Sequence, residues 1–134
     1  PPVNKVAIGI DFSNAVYRKY QKWYRRKGFG DRPVHANIEV HGKTLKTAYL
    51  GFYPVQIEAY KALLKALHGH YNIPLECPTK DGELCTEVYP DAVRLKFKGV
   101  VNHYNISRNK WDCAMLPLKD ILDEIKEEAP DDTV

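Results

Sequence analysis

The sequence predicts an α/β domain with a central mixed β-sheet flanked by helices. Two short, nearly continuous apolar runs, Lys5–Phe12 and Phe97–Tyr104, are typical of strands that are covered on both faces. Apolar residues recur at helical spacing after Pro54 and again from Leu118. Because strands that alternate with helices are characteristic of α/β proteins, we expect this fold class.

Length and composition favour a single domain over residues 1–134. A chain of 134 residues with a 44% hydrophobic content can bury a core without disulfides. No apolar run reaches the roughly 18 residues that a membrane-spanning helix needs, so we expect no membrane partner. The opening residues, PPVNK, have neither the charged nor the apolar region of a signal peptide, and residues 129–134 form a polar tail.

The remaining secondary-structure elements are predicted from turn residues and from the spacing of apolar residues. Val34–Val40 and Leu45–Leu50 predict two strands of a hairpin around His41-Gly42-Lys43. A helix is expected from Pro54 to about Gly69, and the loop at 74–91 should turn at Lys80–Glu83. The last helix should span Leu118–Glu128. The residues expected to face the core from these two helices are Ile57, Tyr60, Leu63, Leu64, Leu67, Leu118, Ile121, Leu122 and Ile125.

A basic segment follows the first predicted strand. From Val16 to Tyr24 apolar and aromatic residues recur at helical spacing until Gly28 ends the run, which predicts a basic amphipathic helix. Its cations are Arg18, Lys19, Lys22, Arg25, Arg26, Lys27 and Arg32. Such runs are most often a solvated face, but this one is also suited to an anionic polymer. The modest net charge of +3 and the lack of any nucleic-acid motif argue against nucleic acid as a partner.

The three cysteines do not form a disulfide framework. Cys77, Cys85 and Cys113 leave at least one thiol unpaired, although Cys77 and Cys85 could bridge one loop. Their spacing is unlike that of a structural zinc site.

Residues capable of hydrolytic chemistry occur at the polar ends of the two predicted strands. Asp11 ends the first strand and His103 lies near the end of the second, and in α/β sheets ligands usually bind at such ends. Lys110 and Asp112 are separated by one residue, so in an extended segment their side chains project to the same side. Zinc accepts imidazole and carboxylate ligands, and a nearby ammonium group can stabilise an oxyanion.

Structural roles remain open for the same residues. A histidine in this position is commonly held by hydrogen bonds within the fold, and Lys110-Trp111-Asp112 is also compatible with an ordinary polar turn. Asp11 could instead cap a turn through Ser13 or Asn14.

The motifs resemble those of the zinc-dependent N-acetylmuramoyl-L-alanine amidases, of the type 2 and peptidoglycan-recognition group. The stretch GVVNHYNIS at 99–107, followed by NKWD at 109–112, is similar to the family pattern of a His closing a strand and then Lys-x-Asp or Lys-x-Cys. The stretch NKVAIGID at 4–11 resembles the family strand N-x-x-x-I-G-I-E, and the following helix commonly carries a Gln, here Gln56. The resemblance covers most of the chain in the family's order.

The resemblance implies a peptidoglycan hydrolase that cleaves the amide between N-acetylmuramic acid and L-alanine. His103 and Asp112 would bind Zn²⁺, Lys110 would stabilise the transition state, and Asp11 would assist the attacking water. Asp11 stands where many members have Glu, so its shorter side chain needs a closer backbone or an intervening water. The protein would act on the cell wall, as a secreted autolysin, a phage-encoded endolysin or an antimicrobial defence protein.

The first zinc-binding histidine of the family has no match in this chain. In the family it lies on a strand upstream of the I-G-I-E strand, so we expect this chain to be the C-terminal portion of the domain, without its N-terminal strands. The missing ligand would then come from the N-terminal portion of the same domain or from a second chain. The alternatives are a ligand at His35 or His41, or a catalytically inactive module that binds peptidoglycan.

Overall fold

The computed structural model describes residues 2–128 as four helices and three pairs of short antiparallel strands. The helices are α1 (Gln21–Arg26), α2 (Pro54–Tyr71), α3 (Pro90–Val93) and α4 (Leu118–Glu128). The strands are β1 (Val34–His35), β2 (Ile38–Val40), β3 (Lys43–Leu45), β4 (Tyr49–Leu50), β5 (Thr79–Lys80) and β6 (Glu83–Leu84). The predicted tail at 129–134 lies outside the described residues. No helix within 2–128 has the length and apolar character needed to cross a bilayer.

Both predicted turns are confirmed. β2 and β3 pair as a hairpin whose turn residues, His41 and Gly42, have φ values of 53° and 73°. Two positive φ values are what a tight turn between right-twisted strands requires. β1 and β4 pair further from the turn, with Val34 opposite Leu50. The second turn, at Asp81-Gly82, joins β5 to β6.

The core forms where α2 and α4 pack together. α2 begins at Pro54, and α4 has the predicted bounds. The four predicted inward residues of α4 are at most 2% exposed, whereas on α2 Tyr60 and Leu64 are buried and Leu63 is 41% exposed. The prediction that Leu63 faces the core was therefore wrong, because fewer of the apolar residues on α2 are buried than its sequence pattern indicates.

A buried lysine also joins these two helices. Nζ of Lys61 lies 2.7 Å from Glu124 on α4 and 3.3 Å from Glu58 and Glu128. Its hydrogen bond with Glu124 is the largest influence that raises the pKa of Lys61. The lysine stays charged, and its partners reach it from the solvent side.

The predicted strand at Lys5–Phe12 does not form. Residues 2–5 make a 3-10 turn, and the extended residues that follow pair with no strand within 2–128. Val6, Ile8 and Ile10 are 69%, 54% and 37% exposed. An apolar run becomes a strand only where a neighbour accepts its backbone hydrogen bonds, and the described residues offer none.

The predicted strand at Phe97–Tyr104 does not form either. The backbone N–H of Val100 donates to the carbonyl of Glu76 at 2.8 Å, and a 3-10 turn starts at His103. Gly99 has a φ of 147°, which L side chains rarely adopt. The described residues therefore combine helices with small antiparallel pairs, and the expected central mixed sheet is not among them.

The basic helix is shorter than its pattern indicates, and one of its cations is internal. A 3-10 turn over Arg18–Tyr20 precedes α1. Arg32 is only 2% exposed, its Nε donates to the Gly51 carbonyl at 2.9 Å, and its guanidinium lies 4.6 Å from the Tyr24 ring centroid. Arg32 is thus a structural residue and not part of the solvated face.

The three cysteines are all free thiols. The bridge between Cys77 and Cys85 that the sequence left open is not formed. The Cys85 thiol instead donates to the Glu87 carbonyl at 3.6 Å.

Candidate metal and catalytic site

His103 and Asp112 are brought together by the fold. Nδ1 of His103 lies 3.2 Å from Oδ2 of Asp112, and both side chains reach solvent, at 43% and 60% exposure. The Tyr104 N–H donates to the Asp112 carbonyl at 3.2 Å, which fixes the two segments beside each other. The two residues that the motif associates are therefore neighbours in the folded protein.

The separation of this pair suits two ligands of one metal ion. Zinc binds His nitrogen and carboxylate oxygen at about 2.1 Å, so two ligands of a tetrahedral ion lie about 3.4 Å apart. The observed 3.2 Å between His103 Nδ1 and Asp112 Oδ2 is close to that value, and it is also the length of the hydrogen bond that these two side chains make with each other. As a donor set, one imidazole and one carboxylate fit zinc in chemistry and in spacing.

A third donor is not found near them. Within residues 2–128 no group of three His, Cys, Asp or Glu side chains is placed to hold a metal. His41 is committed elsewhere, since its Nε2 donates to the Lys110 carbonyl at 2.8 Å. His35 packs against Gly51. Neither histidine completes the site in this structure, so the alternative that drew a ligand from the hairpin has no support here.

Lys110 and Asp112 flank Trp111, and their projection to one side of an extended segment stays a prediction. Both are exposed, while Trp111 between them turns inward against Tyr49, with ring centroids 4.8 Å apart. No carboxylate of the described residues forms an ion pair with Lys110. Its ammonium group can therefore meet an incoming anion without first breaking an internal contact.

Asp11 is exposed and lies near the site without touching it. Burial raises the pKa of the Cys113 thiol to about 11, and the charges of Asp112 and Asp11 add to that effect. Asp11 is thus close enough for its charge to act at the residue that follows Asp112. No hydrogen bond of the described residues joins the Asp11 side chain to His103, Lys110, Ser13 or Asn14, so the turn-capping alternative is not realised.

Two asparagines that sequence reasoning missed hold His103 in place. The Asn102 N–H donates to Oδ1 of Asn105 at 2.9 Å, and Nδ2 of Asn105 donates to the carbonyls of Cys85 at 3.1 Å and Glu87 at 2.9 Å. Asn105 is fully buried. The signal that could have revealed them is the Asn-x-x-Asn spacing around His103, which is that of a reciprocal cap.

The Asn102 side chain extends this support to a buried tyrosine. Its Nδ2 donates to the Tyr104 hydroxyl at 2.8 Å, and Tyr104 is fully buried. The backbone that carries His103 is therefore supported by buried hydrogen bonds although it belongs to no strand.

A cavity of about 220 Å³ adjoins the site and is lined by His41, Glu87, Val88 and Arg108. Because His41 lines it and also contacts the Lys110 backbone, the cavity opens beside the segment that carries Lys110 and Asp112. Its lining carries one cation, Arg108, and one carboxylate, Glu87, and the Arg108 guanidinium is the group there that can pair with a carboxylate.

No protein-family model, no curated protein and no solved structure matches this chain.

Proposed function

We propose that this protein is part of a zinc-dependent peptidoglycan hydrolase that cleaves the amide between N-acetylmuramic acid and L-alanine. The observation that carries the proposal is the approach of His103 to Asp112 at 3.2 Å, in a site that is open to solvent. Lys110, on the exposed side of the same segment, supports it further. The resemblance of the motifs to those of the zinc amidases is the reason to assign a hydrolytic reaction to this geometry.

In the proposed site His103 and Asp112 would hold a zinc ion, which would supply Lewis-acid polarisation of the scissile amide. Lys110 stabilises the negative charge that develops on the carbonyl oxygen. Asp11 accepts the proton of the attacking water, and as a shorter side chain than Glu it acts across an intervening water. Arg108 holds a carboxylate of the stem peptide in the adjoining cavity.

The third zinc ligand belongs, in this proposal, to a part of the protein outside the described residues or to a second chain. Catalytic zinc sites ordinarily have three protein ligands, and within 2–128 no group of three potential ligands is found beyond the proposed pair of His103 and Asp112. In the family that the motifs resemble, that ligand lies on a strand upstream in sequence of the strand whose carboxylate corresponds to Asp11.

The second candidate is a module that binds peptidoglycan without cleaving it. It is favoured by the small number of candidate ligands, His103 and Asp112, because a site with only two protein ligands holds zinc weakly. The two candidates differ in zinc content and in hydrolysis.

The test measures bound zinc by mass spectrometry after dialysis, and new L-alanine amino groups released from purified cell walls. For the hydrolase we expect zinc and activity in the form of the protein that includes the third ligand, the loss of both from that form in His103→Ala and Asp112→Ala, and a form that keeps zinc but loses activity in Lys110→Ala. His70→Ala is the matched control, since His70 is exposed on α2 and away from this segment. Wall binding without zinc or hydrolysis would favour the binding module, and activity that survives His103→Ala would refute the site.

A further inference from the structure

A row of aromatic rings leads away from the candidate site. Trp111, which lies between Lys110 and Asp112, has its ring centroid 4.8 Å from that of Tyr49, and the Tyr49 centroid lies 6.1 Å from that of Tyr17. Neighbouring rings are tilted by 53° and 54°. We call Tyr17, Tyr49 and Trp111 the aromatic row. Its inner end belongs to the segment that carries two of the proposed site residues.

The fold fixes the inner part of the aromatic row and leaves its outer end open. Tyr17 forms an antiparallel bridge with Tyr49, and the N–H of Leu50 donates to the Val16 carbonyl at 2.8 Å. Tyr49 and Trp111 are half-buried and pack against the hydrophobic core, whereas Tyr17 is 53% exposed. Rings that the fold already holds in place can meet a ligand with little further loss of side-chain entropy.

The polar groups of the aromatic row are free to bind a ligand. Within residues 2–128 the hydroxyls of Tyr17 and Tyr49 and the indole N–H of Trp111 make no hydrogen bond. No buried side-chain nitrogen or oxygen of the described residues lacks a partner, so these three groups reach solvent. A hydroxyl both donates and accepts, and the indole N–H donates. The row therefore combines apolar ring faces with uncharged hydrogen-bonding groups.

A pyranose ring matches this combination. The C–H groups on one face of the sugar carry partial positive charge, which suits the negative face of an aromatic ring. The hydroxyl and acetamide groups at the edge of an N-acetylhexosamine pair well with uncharged donors and acceptors. Phosphodiester chains bind chiefly through cations, and none of the three side chains of the row is charged. The chemistry of the row thus favours a neutral sugar.

The proposed reaction also requires a sugar beside the site. The scissile carbonyl belongs to a lactyl ether of the N-acetylmuramic acid ring, so this ring stays within a few bonds of the reacting carbon. Two surfaces adjoin the segment of Lys110 and Asp112, namely the cavity with Glu87 and Arg108 and the aromatic row. The charged cavity suits the ionised groups of the stem peptide, which leaves the row for the glycan.

We propose that the aromatic row binds the glycan strand of peptidoglycan, with N-acetylmuramic acid nearest Trp111 and the next sugar over Tyr49 and Tyr17. This rests on the proposed function and deepens it, because it sets the direction of the substrate. The glycan runs along the row, and the stem peptide leaves the site on the side of Arg108.

The experiment titrates the protein with a linear N-acetylglucosamine tetrasaccharide, which has the glycan backbone without peptide. Calorimetry gives the Kd, and in Trp23→Phe, where Trp111 is the remaining indole, fluorescence reports binding at the row. We expect Tyr17→Ala to raise the Kd about fivefold, and Tyr49→Phe, which keeps the ring and removes the hydroxyl, about twofold. The fluorescence of Trp111 should change with the same Kd.

Two control variants locate the effect. Tyr71→Ala removes a tyrosine that is 62% exposed at the end of α2, and Arg108→Gln alters the cavity; neither should change the Kd. No saturable binding, an equal loss in either control, or tighter binding of single-stranded DNA or anionic vesicles than of the tetrasaccharide would each overturn the proposal. Tyr49→Phe decides the question if Tyr17→Ala folds poorly. Because this binding needs neither zinc nor His103, its failure would leave the proposed hydrolysis untouched.

Discussion

Asn105 supports the candidate site more than any other single residue. It is buried, it accepts a hydrogen bond from the Asn102 backbone, and it donates to two carbonyls in the loop that follows β6. The bond to the Cys85 carbonyl is buried and the bond to the Glu87 carbonyl is partly buried, so loss of the side chain would leave at least one buried acceptor without its donor.

Asn105→Ala should lower the free energy of unfolding by about 2–4 kcal/mol, because it leaves buried carbonyl groups without a donor. Urea denaturation followed by circular dichroism measures this change. Asn109→Ala, an exposed asparagine in the same loop, should stay within about 0.5 kcal/mol of the wild type. Equal stability of the two variants would show that Asn105 does not have this role.

At the scale of elements, the segment at 97–102 shows how one glycine decides the path of the chain. A Cβ on Gly99 would overlap the Glu76 carbonyl oxygen, and the residue has a φ of 147°. The backbone passes so close to Glu76 that only glycine fits, and this approach sets where the turn with His103 begins.

Gly99→Ala should therefore destabilise the protein by about 1–3 kcal/mol, through backbone strain and the forced movement of Glu76. Gly9→Ala is the matched control, since a Cβ there has nothing within 4 Å and its φ is ordinary. Thermal unfolding of both variants tests this, and an unchanged midpoint for Gly99→Ala would contradict the close approach.

The elements that could be predicted are those whose cause is local. α2 starts at a proline and α4 repeats its apolar residues every three or four positions, so their own sequences determine them. The two turns have the residues that positive φ values require. The prediction of a strand at Lys5–Phe12 failed because strand formation depends on a partner elsewhere in the chain.

At the scale of the whole molecule, the buried thiol of Cys77 makes the free energy of unfolding vary with pH in the alkaline range. Burial raises its pKa to about 11, whereas a thiol in the unfolded chain loses its proton near pH 8.5. Between these values the unfolded state has lost a proton that the folded state retains, so the free energy of unfolding falls as pH rises.

The decline should reach about 1.4 kcal/mol per pH unit for this thiol between about pH 9 and 11. Guanidinium titrations across that interval measure the slope. Cys77→Ala should reduce the slope whatever its effect on stability at pH 7. A slope that is unaltered in Cys77→Ala would assign the decline to other groups.

The candidate site itself was predictable only in part. The spacing of Lys110 and Asp112 indicated a shared side, and the resemblance joined Asp112 to His103. The asparagines that support them act through contacts about 20 residues away along the chain, which no local pattern reports.

The hydrogen bonds of Asn105 have a consequence for how the site opens. They tie the turn at His103 to the loop after β6, and the Tyr89 N–H adds a bond to the Asn105 carbonyl at 2.8 Å. These bonds must break together, so the turn and the loop should exchange their amide hydrogens as one cooperative unit. The extended residues around Ile8 belong to no such unit, and their amides should exchange with solvent long before those of the site.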